Sequence, residues 1–338
     1  MTDLDKLAKT ANAMVADNKG LLAADESTGT MGKRLQSIGV ENAEDKRRDF
    51  RELLARTKGL GQFISGVILY DETLRQKAAD GTPLTKLFQG QGIIPGIKVD
   101  TGAKDLAGAA GEKVTEGLDG LTDRVAEYVK LGARFAKWRA VITIGPHLPS
   151  RTCVHVNAHA LARYAKICQE GGLTPIVEPE VLMDGEHDID RCDRVTTQTL
   201  NAVFDELFAQ DVALEGMILK PNMVIAGSEC KKQAGVDEVA ERTVQCMRRC
   251  VPAAVPGLMF LSGGQSEEEA SAHLNAMNAK FGPAPWKLSF SYGRALQQSC
   301  LKTWKGDQAN VAAAQAALLD RARANSAACA GAYARKAA

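Results

Sequence analysis

The chain has 338 residues, of which 45% are apolar and 25% charged, with a formal net charge of +1. That is enough apolar content for one large core. The near-neutral balance speaks against nucleic acid as a partner, and no apolar run approaches the roughly 18 residues that span a bilayer.

Eight short runs rich in β-branched residues follow one another at 20–26, 63–72, 93–100, 133–139, 174–180, 216–220, 258–263 and 287–294. A spacing of roughly 30–45 residues leaves room for a helix and two loops between successive runs. This predicts an α/β fold of one domain over 1–338, an eight-stranded (β/α)8 TIM barrel with its active site at the C-terminal ends of the strands. The helix signals fall between the runs. Asn42 is expected to cap a helix that turns Phe50, Leu53 and Leu54 inward. A helix over 117–131 precedes the fourth run. A helix over 155–168 puts Val156, Leu161, Tyr164 and Cys168 inward and stops at Gly171-Gly172. Ser266 and Glu269 form a capping box. From about 308 the chain is Ala-rich and helical, fraying at its end.

The eight cysteines contain no C-x-x-C pair and read as free thiols in a reducing compartment. His155 and His159 have the i, i+4 spacing of a metal pair but lack the intervening glutamate of a zinc motif, so they read as a surface pair. No metal and no cofactor is expected. The segment 1–9 is charged and carries no apolar signal sequence; a transit peptide removed before residue 1 is compatible with it.

The residues closing the runs carry the chemistry. Side chains at i and i+2 on a strand share a face. Lys98/Asp100, Lys137/Arg139 and Glu178/Glu180 are three such pairs, and Lys220 and Asp25 close two further runs. One pair reads as a solvated salt bridge. Three pairs and a lysine on one rim make a charged pocket that is costly to keep without a function. Lys220 has an apolar approach and is followed by Pro221. Free amines of this kind attack carbonyls, so Lys220 is a Schiff-base candidate, with a snorkelling lysine as the alternative. Ser262-Gly263-Gly264 after the seventh run, and Ser291, Gly293 and Arg294 after the eighth, suit a phosphate. Lys98 and Arg139, with Ser27, Thr30 and either Lys33 or Arg34, suit a second. Two anion sites flanking a nucleophilic lysine imply a sugar bisphosphate.

At these positions the chain closely resembles the class I fructose-bisphosphate aldolases. The shared stretches include Leu22-Ala23-Ala24-Asp25-Glu26-Ser27-Thr28-Gly29, Gly96-Ile97-Lys98-Val99-Asp100, Ala136-Lys137-Trp138-Arg139, Val177-Glu178-Pro179-Glu180, Leu219-Lys220-Pro221-Asn222, Leu261-Ser262-Gly263-Gly264 and Phe290-Ser291-Tyr292-Gly293-Arg294. The resemblance implies that Lys220 forms the iminium on C2 and that Glu178 removes the carbinolamine oxygen as water. Lys137 would keep Glu178 charged, Asp25 would take the C4 hydroxyl proton, and Glu180 would position Lys137 and Lys220. Ser262, Gly263, Ser291, Gly293 and Arg294 would hold the C1 phosphate. Ser27, Thr30, Lys98, Arg139 and a mobile Arg34 would hold the C6 phosphate. It also implies a homotetramer, and either a plastid stromal or a cytoplasmic location. The rim is expected to be able to bind acidic protein segments in competition with substrate. Family members commonly carry serine where Thr30 stands, and usually end in a longer tail with a terminal tyrosine. Here Lys336-Ala337-Ala338 are the last residues, so the tail reads as lost or as lying beyond this sequence, with slower enamine protonation expected. Tyr333 lies too near the last helix for that role. Two other readings remain open: a different lysine Schiff-base barrel with one phosphate site or none, and a binding scaffold that has lost catalysis.

Overall fold

The computed structural model of the chain describes residues 3–334. Ten strands occur there: β1 (Gly20–Ala24), β2 (Ile64–Leu69), β3 (Ile94–Lys98), β4 (Gly102–Asp105), β5 (Lys113–Glu116), β6 (Phe135–Ile142), β7 (Thr174–Val181), β8 (Ile218–Leu219), β9 (Gly257–Phe260) and β10 (Lys287–Tyr292). Eight of them close into a barrel in the order β1-β10-β9-β8-β7-β6-β3-β2, every pairing parallel. The fold is the expected TIM barrel. β4 and β5 form a separate antiparallel hairpin after β3, which the sequence reading had not anticipated.

Among the described residues twelve α-helices accompany the strands. They are α1 (Asp3–Met14), α2 (Thr28–Gln36), α3 (Glu44–Ala55), α4 (Asp71–Arg75), α5 (Leu84–Gln89), α6 (Leu121–Lys130), α7 (Arg151–Glu170), α8 (Ile189–Ala209), α9 (Val236–Cys250), α10 (Glu267–Phe281), α11 (Arg294–Trp304) and α12 (Val311–Cys329). The capping box at Ser266 and Glu269 opens α10. The end of α7 at Gly171, followed by Gly172 with φ of 82°, matches the expected stop.

Several local expectations need correction. Asn42 does not cap α3, whose N-cap is Ala43. The Asn42 amide instead reaches Thr28 O at 3.3 Å and accepts from Arg47 Nη1 at 2.9 Å, so it ties α2 to α3. The helix expected over 117–131 starts only at Leu121, because Gly117 and Gly120 both adopt positive φ and serve the turn out of β5. Val156 on α7 is only partly buried, unlike Leu161, Tyr164 and Cys168. The run at 63–72 leaves the sheet at Leu69; Asp71 opens α4 and pairs with Arg75 at 3.0 Å. β8 contracts to two residues, bounded by a 3-10 turn at Leu214–Gly216 and by Pro221, which cannot donate to the ladder.

Alternation along the strands divides the barrel interior into a floor and a mouth. Leu21, Ile68, Phe135, Ile176, Ile218 and Met259 form one inner apolar cluster with Ala11, Met14 and Val15 of α1 and its C-terminal flank. Thus α1 stoppers the end of the barrel where the strands begin. Thr174 Oγ1 donates to Leu7 O at 3.0 Å and fixes it there. Phe135 is fully buried at the centre of the floor, a burial that contributes about 1.5–3 kcal/mol. Its ring occupies the space a side chain would need on Gly96, where a Cβ would lie 2.1 Å from the ring. Two residues further along the same inward faces, Phe135 gives way to Lys137, Ile176 to Glu178 and Ile218 to Lys220.

Candidate active site

Those inward residues line a cavity of about 660 Å³ at the C-terminal mouth of the barrel. All the sequence-predicted site residues meet there. Asp25, Ser27, Thr30 and Arg34 come from β1 and α2, Lys98 from β3, and Lys137 and Arg139 from β6. Glu178 and Glu180 come from β7 and Lys220 follows β8. Ser262, Gly263 and Gly264 follow β9, and Ser291, Gly293 and Arg294 come from the end of β10. Lys33, the alternative to Arg34, is exposed outside the lining.

Four charges form an alternating row across the cavity floor. Asp25 Oδ2 lies 2.6 Å from Lys137 Nζ, which lies 3.3 Å from Glu178 Oε2. Glu178 Oε1 lies 3.0 Å from Lys220 Nζ. Lys137, Glu178 and Lys220 are each no more than 4% exposed. Burial works against ionisation of Asp25, but Lys137, Lys220 and Lys98 outweigh it and hold the carboxyl well below the usual range. Burial also opposes the charge of Glu178, and again Lys137, Lys220 and Arg139 prevail. Lys137 is the mirror case: burial would discharge it, and Asp25, Glu178 and Asp100 raise its affinity for the proton above that of a free lysine. Both carboxylates are therefore proton acceptors at neutral pH, and Lys137 is a fixed cation between them.

The anion ends face each other. In the barrel order, β9 is opposite β3 and β10 is opposite β6. So the loop at Ser262 faces Lys98, and Ser291 and Arg294 face Arg139, with Lys220 and Glu178 between. Gly263 and Gly264 line the cavity with φ of 44° and 79°, a conformation that favours glycine. A Cβ on Gly264 would also lie 2.4 Å from Met183 Sδ. Among the described residues Ser291 Oγ, buried in the cavity lining, has no hydrogen-bond partner. Gly293 is the N-cap of α11 and Ser27 that of α2, so two helix N-termini open on the mouth. Ser27 Oγ also accepts from Thr30 N at 3.4 Å.

The lining holds six acidic and six basic residues, whose charges nearly balance. Lys98 pairs with Asp100 at 3.6 Å. Arg294 is exposed and, among the described residues, has no ion-pair partner. Two expected placements change. Glu180 does not contact Lys137 or Lys220; its partner is the Nε of Arg139, and the preceding Asp100 accepts from Arg139 N at 3.3 Å. Arg34 is paired with Glu26 and stands beside Gly293, where a Cβ would be 3.6 Å from its Nη2, so it belongs to the Gly293–Arg294 corner. Sequence reasoning missed Glu26, Met183 and Ser228 as lining residues. Only Glu26 carried a signal, its place beside Asp25. The two imidazoles of His155 and His159 lie on the surface, 3.5 and 3.0 Å from Glu206 and outside the cavity. Tyr333 N donates to Asn275 Oδ1 at 2.8 Å, and its side chain packs on the core instead of lining the mouth; Lys336-Ala337-Ala338 lie outside the described residues.

A family model described as fructose-bisphosphate aldolase class-I matches residues 6–338. A probable fructose-bisphosphate aldolase class 1 of Xanthomonas campestris is 58% identical over 323 residues, covering 95% of this chain and 96% of that protein. Fructose-bisphosphate aldolase 6, cytosolic, of Arabidopsis thaliana is 57% identical over 329 residues, covering 97% and 92%. Among solved structures, the fructose-bisphosphate aldolase of Plasmodium falciparum, crystallised with TRAP and a small-molecule inhibitor, superposes with a TM-score of 0.97. It is 52% identical and the match covers 98% of this chain and 96% of that one.

Proposed function

The chain belongs to the class I fructose-bisphosphate aldolase family, and we propose that Lys220 is the amine through which it works. The protein cleaves fructose 1,6-bisphosphate reversibly to dihydroxyacetone phosphate and glyceraldehyde 3-phosphate through a lysine Schiff base. The observation that carries the assignment is the burial of Lys220 Nζ at 3.0 Å from Glu178, between two opposed anion ends.

The proposed sequence follows the row of charges. Glu178 accepts a proton from Lys220, and the freed amine attacks the C2 carbonyl. Glu178 returns the proton to the carbinolamine hydroxyl, which leaves as water, and the iminium remains. Asp25, kept ionised, takes the C4 hydroxyl proton. The C3–C4 bond breaks, its electrons pass to the iminium as an enamine, and glyceraldehyde 3-phosphate departs. Protonation at C3 and hydrolysis release dihydroxyacetone phosphate and restore Lys220. Lys137 keeps Glu178 and Asp25 ionised and balances charge as it moves. Ser262, Gly263, Gly264, Ser291, Gly293, Arg294 and Arg34 bind one phosphate. Ser27, Thr30, Lys98 and Arg139 bind the other, and Glu180 orients Arg139.

Borohydride reduction in the presence of dihydroxyacetone phosphate, followed by mass mapping, tests the assignment. An adduct on Lys220 is expected; an adduct elsewhere, or cleavage without any adduct, refutes it. A homotetramer is proposed as well, supported by Phe208, 85% exposed on α8, which a subunit contact would cover; light scattering of the native protein and of Phe208→Glu decides it. The cytosolic Arabidopsis relative supports a cytoplasmic location, which fractionation would check against a plastid one. The Plasmodium aldolase was crystallised with TRAP, which supports a second capacity to bind protein; the partner proposed here is an acidic segment on the rim. Binding that fructose bisphosphate does not compete away would count against it.

A further inference from the structure

Glu26 takes no part in the steps above, yet it is one of the most heavily engaged carboxylates of the chain. Its side chain is 5% exposed. One oxygen accepts from Arg51 Nη2 at 2.6 Å. The other accepts from Arg34 Nη1 and from Gln297 Nε2, the latter at 3.2 Å. The three donors belong to α3, α2 and α11, the helices around β1 and β10. The two guanidinium groups differ in freedom. Arg51 is 3% exposed, and its buried Nη1 has no hydrogen-bond partner among the described residues. Arg34 is 22% exposed, lines the cavity and stands beside Gly293.

We propose that Glu26 is the resting counterion of Arg34, holding its guanidinium against the cavity wall in place of a phosphate, so that Glu26 sets the selectivity for a sugar bisphosphate over inorganic phosphate. Arg51 makes the exchange feasible. When Arg34 turns to a ligand, Glu26 keeps one fixed cation and the Gln297 amide, so no bare carboxylate is left in the interior. A sugar bisphosphate is already held at the opposite rim and at Lys220, which presents its near phosphate at a high effective concentration. Inorganic phosphate has no such anchor and must displace a buried carboxylate unaided. Glu26 is a positioning residue in this scheme, and the inference rests on the aldolase reading of the cavity.

Two variants have opposite expected signs. Arg51→Met leaves Glu26 with its charge undivided on Arg34, so inorganic phosphate should inhibit more weakly. Glu26→Gln combined with Arg51→Met removes the buried pair together and frees Arg34, so the inhibition constant for phosphate should fall about tenfold, the value of one charge-assisted hydrogen bond. KM for fructose bisphosphate should move in the same directions by less, and kcat is read separately at saturation. Loss of the Arg51 contacts is common to both variants, so a purely structural role moves both the same way. Equal inhibition constants, or shifts of one sign, overturn the proposal; if the double variant does not fold, Glu26→Gln alone takes its place, and it must shift the constant opposite to Arg51→Met. Borohydride trapping of dihydroxyacetone phosphate is run on each protein. No adduct on wild-type Lys220 refutes the aldolase assignment of that lysine. An adduct with an unmoved inhibition constant refutes only the role of Glu26.

Discussion

Replacing Lys137 by methionine tests the row of charges most directly. The substitution keeps the length of the side chain and removes its charge, leaving Asp25 and Glu178 facing each other inside the barrel without the cation at 2.6 and 3.3 Å. Removing one partner of a buried pair costs about 3–5 kcal/mol, which for a chain of this size lowers Tm by about 4–7 °C. The dependence on pH is more diagnostic. Asp25 and Glu178 have folded values below their unfolded ones, near 3.9 and 4.3. Their contribution is therefore present above about pH 4–5 and disappears as pH falls toward the folded values. Lys137 has a folded value above its unfolded one of about 10.4, so its contribution is present below that pH and is lost as pH rises through the folded value. The gap between wild type and variant should be full between about pH 5 and pH 10 and narrow on either side. Trapping on Lys220 should slow by roughly 10²–10⁴, because Glu178 no longer exchanges protons beside a fixed cation. Denaturant unfolding at pH 7 and near pH 3.5 measures the gap. A loss equal at both pH values, or a Tm shift below about 1 °C at pH 7, refutes the reasoning.

Three further perturbations separate stability from function. Ser291→Ala removes a buried hydroxyl that has no protein partner, so it should leave Tm unchanged or raise it by up to about 2 °C while KM for fructose bisphosphate rises roughly tenfold; a stability loss with unchanged KM would contradict this. Gly96→Ala drives a methyl into the Phe135 ring and should cost about 1–3 kcal/mol in denaturant unfolding, partly recovered by Phe135→Leu; additive losses in the double variant would dismiss the steric cause. Burial lowers the pKa of His273 to about 4, with Glu269 opposing, so its protonation favours the unfolded chain. Wild type should lose stability as pH falls from about 6.5 to 4, and His273→Gln should flatten that slope by about 1–3 kcal/mol over the interval; parallel slopes would refute it.

The barrel was legible because its strands repeat a local signal, and each predicted strand overlaps an observed one. The site was legible for the same reason: i and i+2 residues at a strand end must share the interior, which brought Lys98, Lys137, Glu178 and Lys220 together without long-range information. What escaped depends on partners far apart in the chain. α1 is a short helix with an ordinary polar face, and only the open end of the barrel makes it a stopper. Glu26 drew no role in the sequence beyond its place beside Asp25, and its engagement by Arg34 and Arg51 depends on how α2 and α3 pack. The pairing of Glu180 with Arg139 instead of Lys137 or Lys220 reflects their relative height on β6 and β7, where Arg139 is level with Glu178 and two residues below Glu180. Asn42 lost its capping role to a tie between two helices, a choice that a capping preference cannot see.

The seam between β1 and β10 joins Leu21 to Ser291 and Leu22 to Tyr292, and it carries a consequence for biosynthesis. β1 is among the first segments made and its neighbour β10 among the last. At a synthesis rate of 5–20 residues per second, β1 waits about 15–55 seconds for the partner that closes the ring. The docking site of α1 is completed late as well, since Thr174 lies 167 residues beyond Leu7. On the ribosome the nascent chain therefore presents an unpaired apolar strand edge until the final strand emerges, and an undocked amphipathic helix until β7 and the turn at 214–216 are made.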